Sequence, residues 1–260
     1  MAEYLAQYGN VTVPDLPGFG GMDSFYAIGR KPTLDDMADY LASFIKLRYK
    51  KKKITLVGVS YGFLVVTKLL QKYPDLSGKV KVVISLAGFA HKDDFRIKRH
   101  NYWLLSFTSV VFSGYLSSKF LQNVVFSEPI LRLGYRFVEP KLVDDGHTKI
   151  RQAEELEREK RINFELHLWK INDARTYSYV AKEMFKVNLC SVPVALPVYH
   201  VAADGDRYFD NLAVEQHLRT IYTDVTLVPL NHHPHSTSVV ATAEEAEKFF
   251  TAQMKALLRK

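Results

Sequence analysis

The stretch ITLVGVSYGFLVV, residues 54–66, constrains the fold of this chain more than any other. Ile54 to Val57 reads as a buried strand, short and rich in β-branched residues. The chain then runs on through LVVTKLLQKYP with apolar residues at three- and four-residue spacing, a helical pattern that Pro74 stops. Between the two lies G-V-S-Y-G, residues 58–62, which fits G-x-S-x-G. On a sharp strand-to-helix turn a serine is held in a strained backbone conformation with its hydroxyl clear of the sheet edge. Glycines on either side avoid clashes as the chain doubles back, and the helix that follows turns its positive end toward the serine. The plain alternative is a Gly/Ser turn between two elements. The flanking strand and helix favour Ser60 as a nucleophile.

Around this unit the elements alternate. AEYLAQYG reads as the last turns of an amphipathic helix, NVTVPD as a short strand, and LPGFGG as a turn cluster with Pro17 and Gly18 at the centre of a type II turn. Thr33 caps a helix over LDDMADYLASFIKLR, whose first turn carries Asp35 and Asp36. A strand at 54–59, a helix at 62–73 and a strand at 80–86 complete a β-α-β-α-β alternation, which predicts a doubly wound, mostly parallel α/β sheet. Between about His91 and Ser191 the rhythm breaks into helical periodicity, including the charged stretch IRQAEELEREKRINFELHLWKI. It then resumes as a strand (LPVYHVAAD), a helix (YFDNLAVEQHLRTIY), a strand (DVTLVPL) and a closing helix (TAEEAEKFFTAQMKALLRK). The expected organisation is a core from 1–90 and 191–260 with a helical insertion over 91–190.

Composition narrows the classes. Hydrophobic content of 47% and charged content of 24% are ordinary for a globular protein of 260 residues. A single cysteine, Cys190, excludes an internal disulfide framework and fits a reducing, cytoplasmic setting. The formal charge of +7 comes partly from KLRYKKKK, Lys46 to Lys53, which reads as a solvated segment. It lacks the aromatic interleaving of a nucleic-acid patch, so no nucleic-acid partner is expected. Residues 1–10 carry no secretory signal, and no apolar run is long enough to span a membrane. YWLLSFTSVVFSGYLSS, Tyr102 to Ser118, comes nearest; it reads as a buried or pocket-lining helix, with membrane contact as the alternative.

Ligands of doubly wound sheets bind beyond the carboxyl ends of the strands. Asp204 and Asp206 follow the strand ending near Ala203, and His232, His233 and His235 follow the strand ending near Leu230. Serine, acid and histidine thus stand in that chain order, each just past a strand. A serine hydroxyl is a poor nucleophile unless an imidazole takes its proton, and a carboxylate fixes the imidazole tautomer. The alternatives are turn-forming aspartates and a metal cluster of histidines with aspartates, the latter without further ligands at familiar spacing.

With DLPGFGG at 15–21, LVGVSYG at 56–62, PVYHVAADGDR at 197–207 and VPLNHHP at 228–234, the sequence resembles the α/β-hydrolase superfamily. The similar branch has a serine nucleophile and a helical cap inserted after the strand that follows the nucleophile helix. The resemblance implies Ser60 as nucleophile, Asp206 as acid by alignment with a G-x-x-D strand end, and His233 as base. It implies the Tyr61 backbone N–H as an oxyanion donor, no cofactor and no metal. The substrate would be a small molecule with an ester, thioester or similar acyl bond, held against an apolar pocket that draws on Trp103, Phe107, Phe112 and Tyr115. A weakly active or inactive relative that binds an acyl ligand or a protein partner is the second reading.

Members of the superfamily carry further strands and a His-Gly loop ahead of the helix that ends in AEYLAQYG. That loop supplies the second oxyanion donor. The resemblance therefore implies an N-terminally truncated fold, in which NVTVPD either pairs directly with the Ile54 strand or leaves a sheet edge unpaired. Poor solubility and slow ester turnover are expected of such a chain.

Overall fold

The computed structural model describes residues 2–50, 52–137, 155–203, 206, 208–230, 247 and 250–259. Among the described residues four parallel strands form one sheet in the order β1 (Ile54–Val59), β2 (Val80–Leu86), β3 (Val194–Ala203) and β4 (Tyr222–Leu230). Among the described residues, the helices outside the segment between β2 and β3 include α1 (Ala2–Ala6), α2 (Leu34–Arg48), α3 (Tyr61–Lys72), α9 (Asn211–Ile221) and α10 (Ala252–Leu258).

The alternating side chains of β2 separate two cores. Val83 faces a layer built with Met37 and Ala38 of α2, Phe63 to Leu70 of α3, and Val214 and Leu218 of α9. Val82, Ile84 and Leu86 face the opposite layer, with Tyr4 of α1, Met254 of α10 and Phe250 just ahead of α10. Helices on both faces of a parallel sheet make the fold doubly wound. Local chemistry sets the helix ends. The Thr33 hydroxyl accepts from the Asp36 N–H at the start of α2, and the Asp210 carboxylate caps α9. At LPGFGG, Phe19 N–H donates to Leu16 O and Gly18 takes φ +89°, the geometry of a type II turn. A Cβ on Gly18 would lie 2.6 Å from the Thr176 hydroxyl.

NVTVPD differs from the sequence reading. Residues 10–15 form no strand, and Val13 is 71% exposed. Alternation of β-branched residues marks a strand only where a neighbour supplies hydrogen bonds. β1 pairs with β2, and its other edge carries no ladder among the described residues.

Between β2 and β3 every regular element among the described residues is helical. These are α4 (Arg99–Phe112), α5 (Tyr115–Phe120), a π-helical turn (Leu121–Val125), α6 (Glu128–Phe137), α7 (Glu155–Ile171) and α8 (Ala174–Met184). A short 3-10 turn, Lys92–Asp94, precedes them. α4 packs on α8, where Tyr102 Oη donates to Phe185 O. The turn cluster meets the start of α8: Asp173 N–H donates to Gly18 O, Gly20 N–H to Asn172 Oδ1, and the Ser24 and Thr176 hydroxyls share a bond. Among the described residues no single helix is long and apolar enough to cross a membrane.

Candidate active site

Ser60 stands between the last residue of β1 and the first of α3, with φ +46° and ψ −115°. A non-glycine residue rarely adopts that conformation, and holding it costs about 1–3 kcal/mol. The surrounding bonds keep it there. Ser60 N–H donates to Leu86 O at the end of β2, and Phe63 N–H donates to Ser60 O. Gly58 is required, since a Cβ there would sit 2.5 Å from the Phe63 Cα. At Gly62 a Cβ would meet nothing within 4 Å among the described residues, so the clash expected on both sides of the serine is seen on the Gly58 side. As the first residue of α3, Tyr61 has an N–H with no carbonyl to bond in the helical ladder, at the positive end of the helix.

The Tyr61 side chain was not singled out in the sequence. Its hydroxyl is buried with no hydrogen-bond partner among the described residues. Burial, with Glu183 nearby, pushes its pKa well above the usual tyrosine value.

Register carries β3 to the same edge of the sheet. Gly58 lies opposite Ser85, Ser85 opposite His200, and Ala203 opposite Leu230, so the strands end together. Asp206, just past β3, is 6% exposed. Its Oδ1 accepts from Tyr208 N–H at 2.8 Å and Phe209 N–H at 3.1 Å, which fixes the carboxylate against the loop. The same pair of bonds is what a turn-forming aspartate makes. Asp204, His232, His233 and His235 lie outside the described residues. Of the aromatic set, Trp103, Phe107 and Tyr115 are 63%, 66% and 60% exposed, an outer surface rather than an enclosed wall, and Phe112 is half-buried.

Two buried polar groups beneath this edge escaped the sequence reading. His200 on β3 is buried and shares a 2.9 Å bond through Nδ1 with the Ser85 hydroxyl. Burial lowers its pKa to about 4, against opposing pulls from Asp206 and Glu215. Asp94 has no exposure at all. Its Oδ2 accepts from the N–H groups of Ala90 and His91 at 2.8 and 2.9 Å, and its Oδ1 meets His217 Nδ1 on α9. Asp94 O accepts from Asp210 N–H, and Phe95 bridges to Phe209, so the loop leaving β2 is tied to the loop carrying Asp206. The H-x-x-D spacing of His91 and Asp94, a capping box in the structure, was the available signal. The His91 and His217 rings stand 4.5 Å apart, and burial followed by the His217 charge lowers the His91 pKa. Among the described residues no group of histidine, cysteine and carboxylates has the geometry to hold a metal ion.

A four-stranded parallel sheet covered on both faces, with a strained serine on its first strand-to-helix turn, defines an α/β hydrolase. The chain matches the alpha/beta hydrolase fold family over residues 1–237 and belongs to it. No curated protein matches its sequence. Solved structures with the same fold include an esterase from Exiguobacterium antarcticum, 15% identical over 95% of this chain and 80% of that one, with a TM-score of 0.63. A thermophilic esterase from Thermogutta terrifontis is 18% identical over 87% and 74%, with a TM-score of 0.54. An epoxide hydrolase from Bacillus megaterium is 12% identical over 94% and 81%, with a TM-score of 0.60. Identities this low establish the common fold and leave the reaction to be argued from the site.

Proposed function

We propose that the protein is a serine hydrolase that cleaves a carboxylic ester or a related acyl bond. Ser60 Oγ attacks the acyl carbonyl while His233 takes its proton, and Asp206 holds the imidazole in the required tautomer. The tetrahedral oxyanion is stabilised by the Tyr61 N–H at the start of α3. His233 then protonates the leaving alcohol, and water, deprotonated in turn by His233, releases the acid from the acyl-enzyme. The observation that carries this reading is the backbone of Ser60, strained at φ +46° at the carboxyl edge of the sheet. Strain of this kind persists where the surrounding structure enforces it, and on a strand-to-helix turn it presents the hydroxyl outward.

Three further features support the reading. Asp206 is buried just past β3 with Oδ1 fixed by two amides. Esterases are among the proteins that share the fold. A serine at the elbow disfavours epoxide hydrolysis, which in this superfamily starts from an aspartate there. We take the helices between β2 and β3 as a cap inserted into the core, and Phe112, on α4, as the aromatic facing the acyl group.

A fluorophosphonate probe tests the assignment. Wild type should label and Ser60→Ala should not, while His233→Ala and Asp206→Asn should slow labelling and p-nitrophenyl acetate turnover by at least about 10²-fold. Equal labelling of the Ser60→Ala variant would remove Ser60 from the mechanism. Labelling without ester turnover would favour a relative that binds acyl groups and releases them poorly.

A further inference from the structure

The helices α4 to α6 are built inside out. On α4 Trp103, Leu104, Phe107, Val110 and Val111 are exposed and share one helical face, and Leu105 is exposed away from it. The face turned inward carries Tyr102, Ser106 and Ser109, the last buried. The next turns repeat the arrangement. Leu116, Phe120 and Val124 follow at four-residue spacing and are exposed, while Ser118 between them is buried. Ile130 and Leu133 extend the apolar exposure along α6. A helix stabilised by packing in water turns its apolar stripe to the core. Here that stripe faces away from the core.

Five hydroxyls of the same segment are satisfied from within. Thr108, Ser109, Ser113, Ser118 and Ser127 each donate to the carbonyl three residues earlier, at Leu105, Ser106, Val110, Tyr115 and Val124. Ser109 and Ser118 make these bonds on the inward face; at Thr108, Ser113 and Ser127, which are not buried, back-bonding lets a helix surface lie in an apolar medium without stranded donors. The charges complete the pattern. From Phe95 to Ser127 the chain has no carboxylate, and its charged residues are Arg96, Lys98, Arg99 and Lys119, all exposed. Lys98 and Arg99 stand at the start of α4, where the helix dipole disfavours cations and the first turn holds no acidic residue. The segments 99–112 and 115–125 meet at 99°, so they do not form one straight span.

We propose that the outer face of α4 and α5 is a docking surface for an anionic lipid bilayer. Trp103, Leu104, Phe107, Leu116 and Phe120 enter the boundary between headgroups and acyl chains. Arg96, Lys98, Arg99 and Lys119 meet the headgroup phosphates. The surface is defined independently of the catalytic reading.

Co-sedimentation of the full chain with vesicles tests this, using phosphatidylcholine alone and phosphatidylcholine containing a third phosphatidylglycerol. The wild type should pellet with the anionic vesicles, and with the neutral ones at least about tenfold more weakly. Leu104→Asp combined with Phe107→Asp should reduce partitioning to both by about tenfold or more, with an unchanged circular-dichroism spectrum. Lys98→Glu combined with Arg99→Glu should lower binding to the anionic vesicles alone. In a Trp169→Phe background, Trp103 emission should shift to the blue on adding anionic vesicles. Absence of wild-type pelleting, or pelleting that neither pair of substitutions changes, would overturn the proposal. So would self-association of the wild type that the Asp pair abolishes while vesicles are ignored, since the face would then belong to a second copy.

Discussion

The α3 helix and the α4 helix carry the same kind of message in their sequences and obey it in opposite directions. Both repeat apolar residues at three- and four-residue spacing. In α3 the repeat puts Phe63, Leu64, Val66 and Leu70 under the sheet with almost no exposure. In α4 it puts Trp103, Phe107 and Val111 into solvent, while Tyr102 and Ser109 pack inward. The comparison teaches that periodicity identifies a face and leaves open what will cover it. α3 is flanked by strands that must bury it. α4 meets α8 through its Tyr102 side, where the Tyr102 hydroxyl donates to Phe185 O, and its Trp103 and Phe107 side stays exposed.

The largest expected effect breaks or keeps that comparison directly. Phe63→Ala should destabilise the fold by about 3–5 kcal/mol, since Phe63 is fully buried in the core between α3 and the sheet and its ring would leave a cavity. Phe107→Ala should change stability by no more than about 0.5 kcal/mol. Denaturant midpoints measure both, and a large loss at Phe107 would place the α4 face in a core after all.

Polar groups sharpen the contrast. Asp94→Ala should cost about 3 kcal/mol, because it leaves the Ala90 and His91 N–H groups and His217 without their carboxylate. Ser109→Ala, which removes only a bond to its own helix, should shift the midpoint hardly at all. Equal effects at the two sites would show that the region around Asp94 is no more tightly specified than α4.

Acid should act through the sheet and spare the outer helices. His200 is neutral in the fold with a pKa of about 4, below the ordinary value of 6.5. Between those values the unfolded chain binds the extra proton, so stability rises with pH across the window and is lost as pH falls toward 4. The loss from this one group is roughly 2–3 kcal/mol at pH 4. Unfolding midpoints of wild type and His200→Gln, measured from pH 7 to 4.5, should converge as acid is added. Parallel curves would mean that His200 does not carry the dependence.

The smallest expected effect lies beside the nucleophile. Tyr61→Phe removes a buried hydroxyl that has no partner among the described residues, and should leave stability unchanged or raise it by about 1 kcal/mol. If the variant is instead less stable, the hydroxyl has a partner that the described residues do not supply.

The legibility of the fold followed how local the determining interactions are. β1, α3 and β2 were readable because strand composition, helical period and Pro74 all lie within a few residues of what they decide. The strain at Ser60 was readable for the same reason, as G-x-S-x-G between those elements leaves few backbone paths. The Thr33 cap and the turn at Pro17–Gly18 were local too. NVTVPD misled because a strand needs a partner, which its own residues cannot provide.

What tertiary structure alone decided involves pairs far apart in the chain. Ser85 meets His200, and Asp94 meets His217, across separations that no local pattern encodes. Whether an apolar stripe faces a core or the solvent is of the same kind, since it depends on which surface the rest of the chain presents. By itself the sequence determined the alternation of strands and helices and the place of Ser60 on its turn. Three-dimensional packing decided which polar groups are buried and that α4 turns Trp103 and Phe107 outward, because burial is a property of neighbours and not of residues.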